Sequence, residues 1–558
     1  MNIPSKQVAI QLVGPDQLVL NTEKTVESVG PYQILARVNA VGLCYSDLKL
    51  LKQFSEHARK SDILEGIDPA ILDELPTYCP NDKPTVPGHE AVCTIVAVGD
   101  KVTHHKLGER VLAQTDYRWL KTAGSNAAFG YSFEGALQEY VLMDERVIVD
   151  PATNESFLVT APDHLGAAAV GLVEPWACVE SSYITEERQT LLSGGKLLVV
   201  CEAGAEVLGL SESCSLAGKP GAVTACCADP SQLEVVKGLG AAVAAVKSVG
   251  ELVGQVFDDI IYFGASKATL DILNDNLDRG GIINIVLGGQ TIGAPVTVGV
   301  GRVHYGLTRW IGTAGGNAVE SYDIIPATGE IRDQDRVAVI GAAGPMGQMH
   351  TIRLVCSGKE GISVVGTDLD DERLASLAGK AQPFADKLGV SLELINTQEA
   401  SLDGTFDYVG IMVPVAPLVA QAIAQSRDKT LINVFAGIPA SLKYDLDLDT
   451  YIQNRCFMFG TSGSRLSDMT SVLEKVVTGQ LETSASLDAV SGMAGAMDGL
   501  KAVEERAFSG KIVVYPAIKD MPLTRLEKMA ELYPSVAEKM DGLMWTLAAE
   551  EELLKVAK

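Results

Sequence analysis

The stretch RVAVIGAAGPMG, residues 336–347, reads as a buried strand running straight into a glycine turn. Val337, Ala338, Val339 and Ile340 form a short, bounded, β-branched run of the kind found in parallel strands. Gly341, Gly344 and Gly347 follow, with Pro345 and Met346 between the last two, and a helical pattern runs from Gln348 to Ser357. A second apolar run, Ile362 to Val365, leads to Asp368. Glycines at such a turn let backbone N–H groups approach a pyrophosphate, and the helix N-terminus adds a favourable dipole. An acid about twenty positions after the glycines is where a ribose 2′-hydroxyl is held, and Asp368 stands there. The competing reading is a tight turn in an ordinary α/β unit.

Working upstream, the same elements recur in damaged form. Leu197 to Val200 reads as a strand, but Cys201-Glu202-Ala203-Gly204-Ala205-Glu206-Val207 keeps only the central glycine, and the next strand ends near Asp229. Phe257 and Ile283, each inside an apolar run, reappear as Phe406 and Ile432 at one offset of 149 residues, and Gly312 reappears as Gly460. One register shared by several elements implies two tandem Rossmann-like, doubly wound domains, at about 190–325 and 330–470. Copy one should not hold a cofactor. Cys201 stands where the turn wants glycine, Val207 where helix and strand must pack closely, and Glu202 and Glu206 would put negative charge near a pyrophosphate. Its role is then structural.

The chain has 558 residues, 47% of them hydrophobic and 21% charged, enough for several domains with substantial cores. No stretch reads as a membrane span or a secretion signal. The ten cysteines lack CxxC pairs, which suggests reduced thiols in a cytoplasmic protein. A net charge of −26 argues against nucleic acid as a partner.

Residues 1 to about 150 read as β-rich, with short apolar runs between Gly, Pro, Asn and Asp. Three short patterns there or just beyond carry chemistry: GLCYSD at 42–47, VPGHE at 86–90, and LVEPWAC at 172–178, opening a helix. Cys44, His89 and a carboxylate could supply the protein ligands of a catalytic zinc, leaving a position open for a substrate oxygen. Taken singly, each has a plainer reading: a small buried thiol, a turn histidine, an acid at a helix start.

Together with Gly108-Glu109-Arg110-Val111 and Gly135 to Val141, these patterns resemble the zinc-dependent medium-chain alcohol dehydrogenase/reductase family, in that family's order. The Glu-Pro form of the third pattern is similar to the sorbitol and polyol branch, which includes sorbose-phosphate reductase-like members. The resemblance implies a GroES-like β-rich catalytic domain, with Cys44, His89 and Glu174 as zinc ligands. It implies Glu90 beside the metal or exchanging onto it, Asp47 orienting His89, and Ser46 relaying the substrate's proton. It further implies hydride transfer between a secondary alcohol of a polyol, sugar or sugar phosphate and NAD. Asp368 would select against a 2′-phosphate, Arg373 matches a basic family position near the adenosine ribose, and Val413 and Gly437 would line the nicotinamide pocket or equally serve as core and turn residues. Alternatives are the ketose-phosphate reductase direction, a zinc-independent quinone or enoyl reductase, and a non-catalytic NAD-binding scaffold.

Two departures stand out. Residues 112–130 contain no cysteine, so one catalytic zinc and no structural zinc is expected. An insertion around Glu56 to Asp82 separates Cys44 from His89 and should reshape the substrate mouth or an interface. The expected α/β organisation is thus residues 1–185 as the first part of the catalytic domain, then the two Rossmann-like domains, a return segment at 475–520, and a helical C-terminal extension at 521–558. That extension should form two helices divided at Pro534. The expected partner is a small-molecule alcohol or sugar, with no nucleic acid and no membrane. A homo-oligomer is allowed, with copy one as an internal pseudo-partner.

Overall fold

The computed structural model describes residues 3–557, the side chains of 216 and 217 apart. The chain divides into two compact units, Met1–Glu180 with Ser464–Lys558, and Ser181–Gly463.

The first unit is built on an 8-stranded sheet. Its central strand, Gln33–Leu43, is buried along nearly its whole length because neighbours flank it on every side. Glu90–Val98 pairs antiparallel with it on one edge, with Gly42 opposite Glu90, and Tyr140–Asp144 pairs with its first half. The late strand Lys511–Val514 returns to the other edge, with Ile512 opposite Leu43. That register puts the end of the central strand and the starts of the other two at one end of the sheet.

One buried cation ties the two ends of the insertion together. Lys60 is fully buried, and its ammonium donates to the carbonyls of Cys79 (2.8 Å), Asn81 and Lys83 (2.6 Å) while lying 4.6 Å from the centre of the Phe54 ring. Burial pushes its pKa down to about 8, but the three carbonyls supply the partners that a charged group needs. Lys60→Met would strand all three carbonyls. We expect a loss of about 2–3 kcal/mol and faster proteolysis within residues 54–83, read by urea unfolding and limited digestion.

The C-terminal stretch differs from a pair of helices. Thr524–Arg525 is a strand against Leu487–Ser491, and three short helices follow: Met529–Leu532, Pro534–Ala537 and Leu547–Val556. Pro534 starts the second of these, where its missing N–H costs nothing. The last helix docks through Glu550. Its buried carboxylate accepts from the N–H groups of Ala167 and Ala168 and from the Tyr515 hydroxyl.

The second unit carries a 12-stranded sheet. Its first half reads across the sheet as Val243–Ala245, Ala222–Cys227, Lys196–Cys201, Phe257–Phe263, Leu277–Val286, Arg309–Thr313. The second half, read from its outer edge, is Ser391–Asn396, Ser363–Asp368, Arg336–Ile340, Phe406–Ile411, Ser426–Val434, Phe457–Phe459. In chain order both halves are 3-2-1-4-5-6, the doubly wound arrangement of dinucleotide-binding folds. Both also break register at the same place, between Phe257 and Asp259 in one half and between Phe406 and Tyr408 in the other. The halves join where Trp310 pairs antiparallel with Met458. Among the described residues, no helix is long and apolar enough to cross a membrane.

Candidate active site

The sheet end described above gathers the chemistry of the first unit. Cys44 follows directly on the central strand and caps the helix Tyr45–Gln53, its N–H donating to Asp47 Oδ2 at 3.0 Å. The other oxygen of Asp47 lies 3.0 Å from His89 Nδ1, which holds the imidazole with its far nitrogen towards Cys44. Burial works against a charged imidazole there. The Asp47 carboxylate, with smaller help from Tyr131 and hydrogen bonds to Asp47 and Cys44, nevertheless holds the His89 pKa well above its ordinary value. Ser46 Oγ lies 3.0 Å from Cys44 Sγ.

Among the described residues, Cys44, His89 and Glu90 form a group whose ligand atoms all lie within 4.8 Å of one another. The carboxylate in this group is Glu90 rather than Glu174. Glu174 sits beside it, buried at the start of the helix Val173–Ile184. Burial pushes the Glu174 carboxyl up to about 7; His89 pulls against that, and the Glu90 carboxylate adds to it.

Glu90 is fully buried and its two oxygens differ. Oε1 accepts from Lys511 Nζ at 2.6 Å, while Oε2 has no hydrogen-bond partner. Lys511 also donates to the Leu43 carbonyl at 2.7 Å. Burial opposes its charge, yet Glu90 and then Cys44 hold its pKa above the ordinary lysine value. Room for Oε2 comes from Gly42, where an added Cβ would lie 2.1 Å from that oxygen. A buried, unpaired carboxylate oxygen facing a thiol and an imidazole is costly unless something cationic completes it. A thiolate, an imidazole and a carboxylate together suit zinc. The residues present fit that metal.

Sequence reasoning assigned Lys511 no role. The available signal was a lone charge opening the otherwise apolar strand KIVV. Tyr131 was missed too; its buried ring lies 5.7 Å from that of His89.

In the second unit, Arg336–Ile340 runs into Gly341, whose φ of +81° belongs to the left-handed region, and Gly344 caps a helix that starts at Pro345 rather than at Gln348. Gly347 packs so closely that a Cβ would lie 2.1 Å from the Gly341 carbonyl oxygen. Pro345 is exposed and Met346 half-buried in the first turn. Asp368 closes the neighbouring strand, its carboxylate accepting from the N–H groups of Ala343 (3.1 Å) and Leu369 (2.8 Å). A cavity of about 310 Å³ opens beside it, lined by Ile340, Thr367, Thr397 and Leu418 among others. Arg373 sits in the next helix, with Nε 3.8 Å from Asp370. Val413 leans on Gly341, and Gly437 faces the Tyr305 hydroxyl.

The first half is built differently at the matching place. After Cys201 the chain wanders through residues 202–209 before the helix Leu210–Ala217 begins. The Glu202 carboxylate accepts from the Tyr262 hydroxyl at 2.5 Å and from Ala265 N–H at 3.4 Å. No helix N-terminus follows directly on the strand here, as one does at Pro345.

Residues 30–152 match the alcohol dehydrogenase GroES-like domain. This domain contains Cys44, Ser46, Asp47, His89 and Glu90. The chain is 25% identical over 292 residues to the D-xylulose reductase of Morganella morganii, covering 50% of this chain and 78% of that one. It is 26% identical over 339 residues to the L-sorbose 1-phosphate reductase of Klebsiella pneumoniae, covering 55% and 75%. By name these relatives are reductases, one of a sugar and one of a sugar phosphate. The 2R,3R-butanediol dehydrogenase of Bacillus subtilis superposes with a TM-score of 0.50 at 13% identity, covering 91% of this chain and 99% of that one. That last likeness is one of fold.

Proposed function

We propose that this chain is a zinc-dependent oxidoreductase moving hydride between NAD and a secondary alcohol of a polyol, sugar or sugar phosphate. The observation that carries the reading is the Cys44–His89–Glu90 group with its unpaired Glu90 oxygen. Zinc bound there would polarise the substrate hydroxyl and lower its pKa towards neutrality. Cys44 and His89 supply two donors, and Glu90, with Glu174 beside it, supplies the carboxylate. Asp47 fixes which imidazole nitrogen faces the group, and Lys511 holds Glu90 by one oxygen so that the other stays free. Ser46 offers a half-buried hydroxyl through which the substrate's proton can leave.

NAD is assigned to the second half of the large sheet, where it would accept the hydride. The turn at Gly341, Gly344 and Gly347, the helix opening at Pro345, the cavity beside Thr367 and the acid Asp368 support this. The shared strand order supports reading the two halves as copies of one unit, the first retained as a structural partner. Asp368→Ala should raise the ratio of NADP to NAD turnover about tenfold, because the carboxylate that repels a 2′-phosphate is gone. Paired kinetics with the two cofactors measure this; an unchanged ratio rejects the role.

The deciding experiment is a panel of hexitols, pentitols and ketose phosphates with NAD and NADP, run beside zinc quantification. NAD-dependent turnover with about one zinc per chain is expected. Stoichiometric NAD binding without turnover of any alcohol would favour a scaffold instead.

A further inference from the structure

We propose that Arg59 and Arg118, gathered around Asp116, form a subsite for the phosphoryl group of a sugar-phosphate substrate. This rests on the reading of the chain as a polyol or sugar oxidoreductase and narrows its substrate class.

Arg59 belongs to the insertion between Cys44 and His89, in the short 3-10 turn Ala58–Lys60. It stands next to the Lys60 clasp, so its backbone is held by buried hydrogen bonds rather than by a free loop. Its guanidinium lies 5.5 Å from the centre of the Tyr131 ring, and that ring lies 5.7 Å from His89. Tyr131 thus touches both this cation and His89, one of the proposed metal ligands. The Glu174 carboxylate also acts on Arg59.

Asp116 meets Arg59 at 3.0 and 3.3 Å through two nitrogens, and Arg118 approaches the same carboxylate at 4.0 Å. Asn126 Nδ2 contacts Asp116 at 3.4 Å, and Arg118 is steadied by donating to the Ser464 carbonyl at 2.6 Å. Two guanidinium groups thus share one carboxylate, an excess of one positive charge within that trio, in a chain whose total is −26. Neighbouring His57 does not alter that sum. Burial, with Arg59 and Lys49 adding to it, pushes its pKa down to about 4, so it is neutral at pH 7. The side chain of Asp116 is 10% exposed, but those of Arg59 and Arg118 are 30% and 43% exposed, so the acid is enclosed while the cations stay open to a ligand. A guanidinium has five N–H donors, and the two-pronged contact with Asp116 leaves donors over in the planar fork that matches phosphate. The insertion thus supplies the substrate mouth with something a simple alcohol does not need.

The test compares sorbitol with sorbitol 6-phosphate as substrates of the zinc-loaded enzyme with NAD. Wild type, Arg59→Gln, Arg118→Gln and Arg59→Lys are assayed, and melting curves report folding. The wild type should prefer the phosphate ester. Arg59→Gln should raise its KM about 10- to 100-fold with kcat little changed, leaving the weak sorbitol kinetics where they were. Arg118→Gln, at the more exposed position, should do the same to a smaller degree, and Arg59→Lys should recover part of the loss. Equal damage to both substrates, or a wild type indifferent to the phosphate, overturns the subsite. Calorimetry with both compounds separates this from the broader reading. If nothing turns over, the proposed activity fails, yet tighter binding of the phosphate ester that Arg59→Gln abolishes still upholds the subsite, and equal binding rejects it.

Discussion

Cys44→Ser should lose bound zinc and drop kcat/KM by about a thousandfold or more, since Lewis-acid stabilisation of an alkoxide is worth several kcal/mol and each 1.36 kcal/mol is tenfold in rate. The substitution is mild in every other respect. Serine keeps the β-region backbone of a helix cap, and the N–H that donates to Asp47 stays in place. What disappears is the one soft, ionisable donor of the group, replaced by a hydroxyl that stays protonated near neutrality. Metal quantification and steady-state kinetics on the same preparation give the answer. Full activity without zinc would reject the mechanism, whereas lost activity with zinc retained would move the metal to other ligands.

Lys511→Met should destabilise the first unit by about 3–5 kcal/mol, because it leaves Glu90 as an uncompensated charge in a dry interior. Both partners are almost wholly buried, at 7% and 0% side-chain exposure, so solvent screens neither. The effect should be largest in metal-free protein, where nothing else neutralises Glu90. Adding Glu90→Gln to Lys511→Met should recover a good part of the loss, since the buried charge is then gone. Urea unfolding followed by tryptophan fluorescence suits the measurement, as Trp119, Trp176 and Trp545 all lie in the first unit. A single variant as stable as wild type would mean that Glu90 takes up a proton at little cost.

What was legible in the sequence was whatever is written locally. The turn at Gly341–Gly347 could be read because its demands, a left-handed φ and a Cβ-free contact, fall on neighbouring residues. The recurrence of Phe257 as Phe406 could be read because it needs only a constant offset, and both head strands with the same register break. The helix start was misjudged by three residues, because Pro345 looks like part of the turn and is in fact its first helical residue. Among the proposed metal ligands, Cys44, His89 and Glu90 were visible as types, but their meeting depends on the pairing of Gly42 with Glu90 across two strands. That same pairing is why the carboxylate grouped with Cys44 and His89 is Glu90 and not Glu174. Lys511 lies 421 residues from Glu90 along the chain, and Glu550 lies 383 from the helix start it caps. No local pattern announces such a contact; it follows from a strand and a helix returning to the first unit after the whole second one. Arg59 escaped for a different reason, sitting in an insertion beside Lys60, which looks like an ordinary surface lysine until its three carbonyl partners are seen.

The pairing of Trp310 with Met458 has a consequence for behaviour on dilution. A sheet extended between separate molecules obeys mass action and falls apart as the protein is thinned out. Here both strands at the seam belong to one chain, so their encounter is governed by the tether between them and not by how many molecules share the solution. The twelve strands should therefore stay joined at nanomolar and micromolar concentrations alike. A chain with that property has no need of a neighbour to cover these two strand edges, and the half without the glycine turn is free to serve as permanent edging for the other.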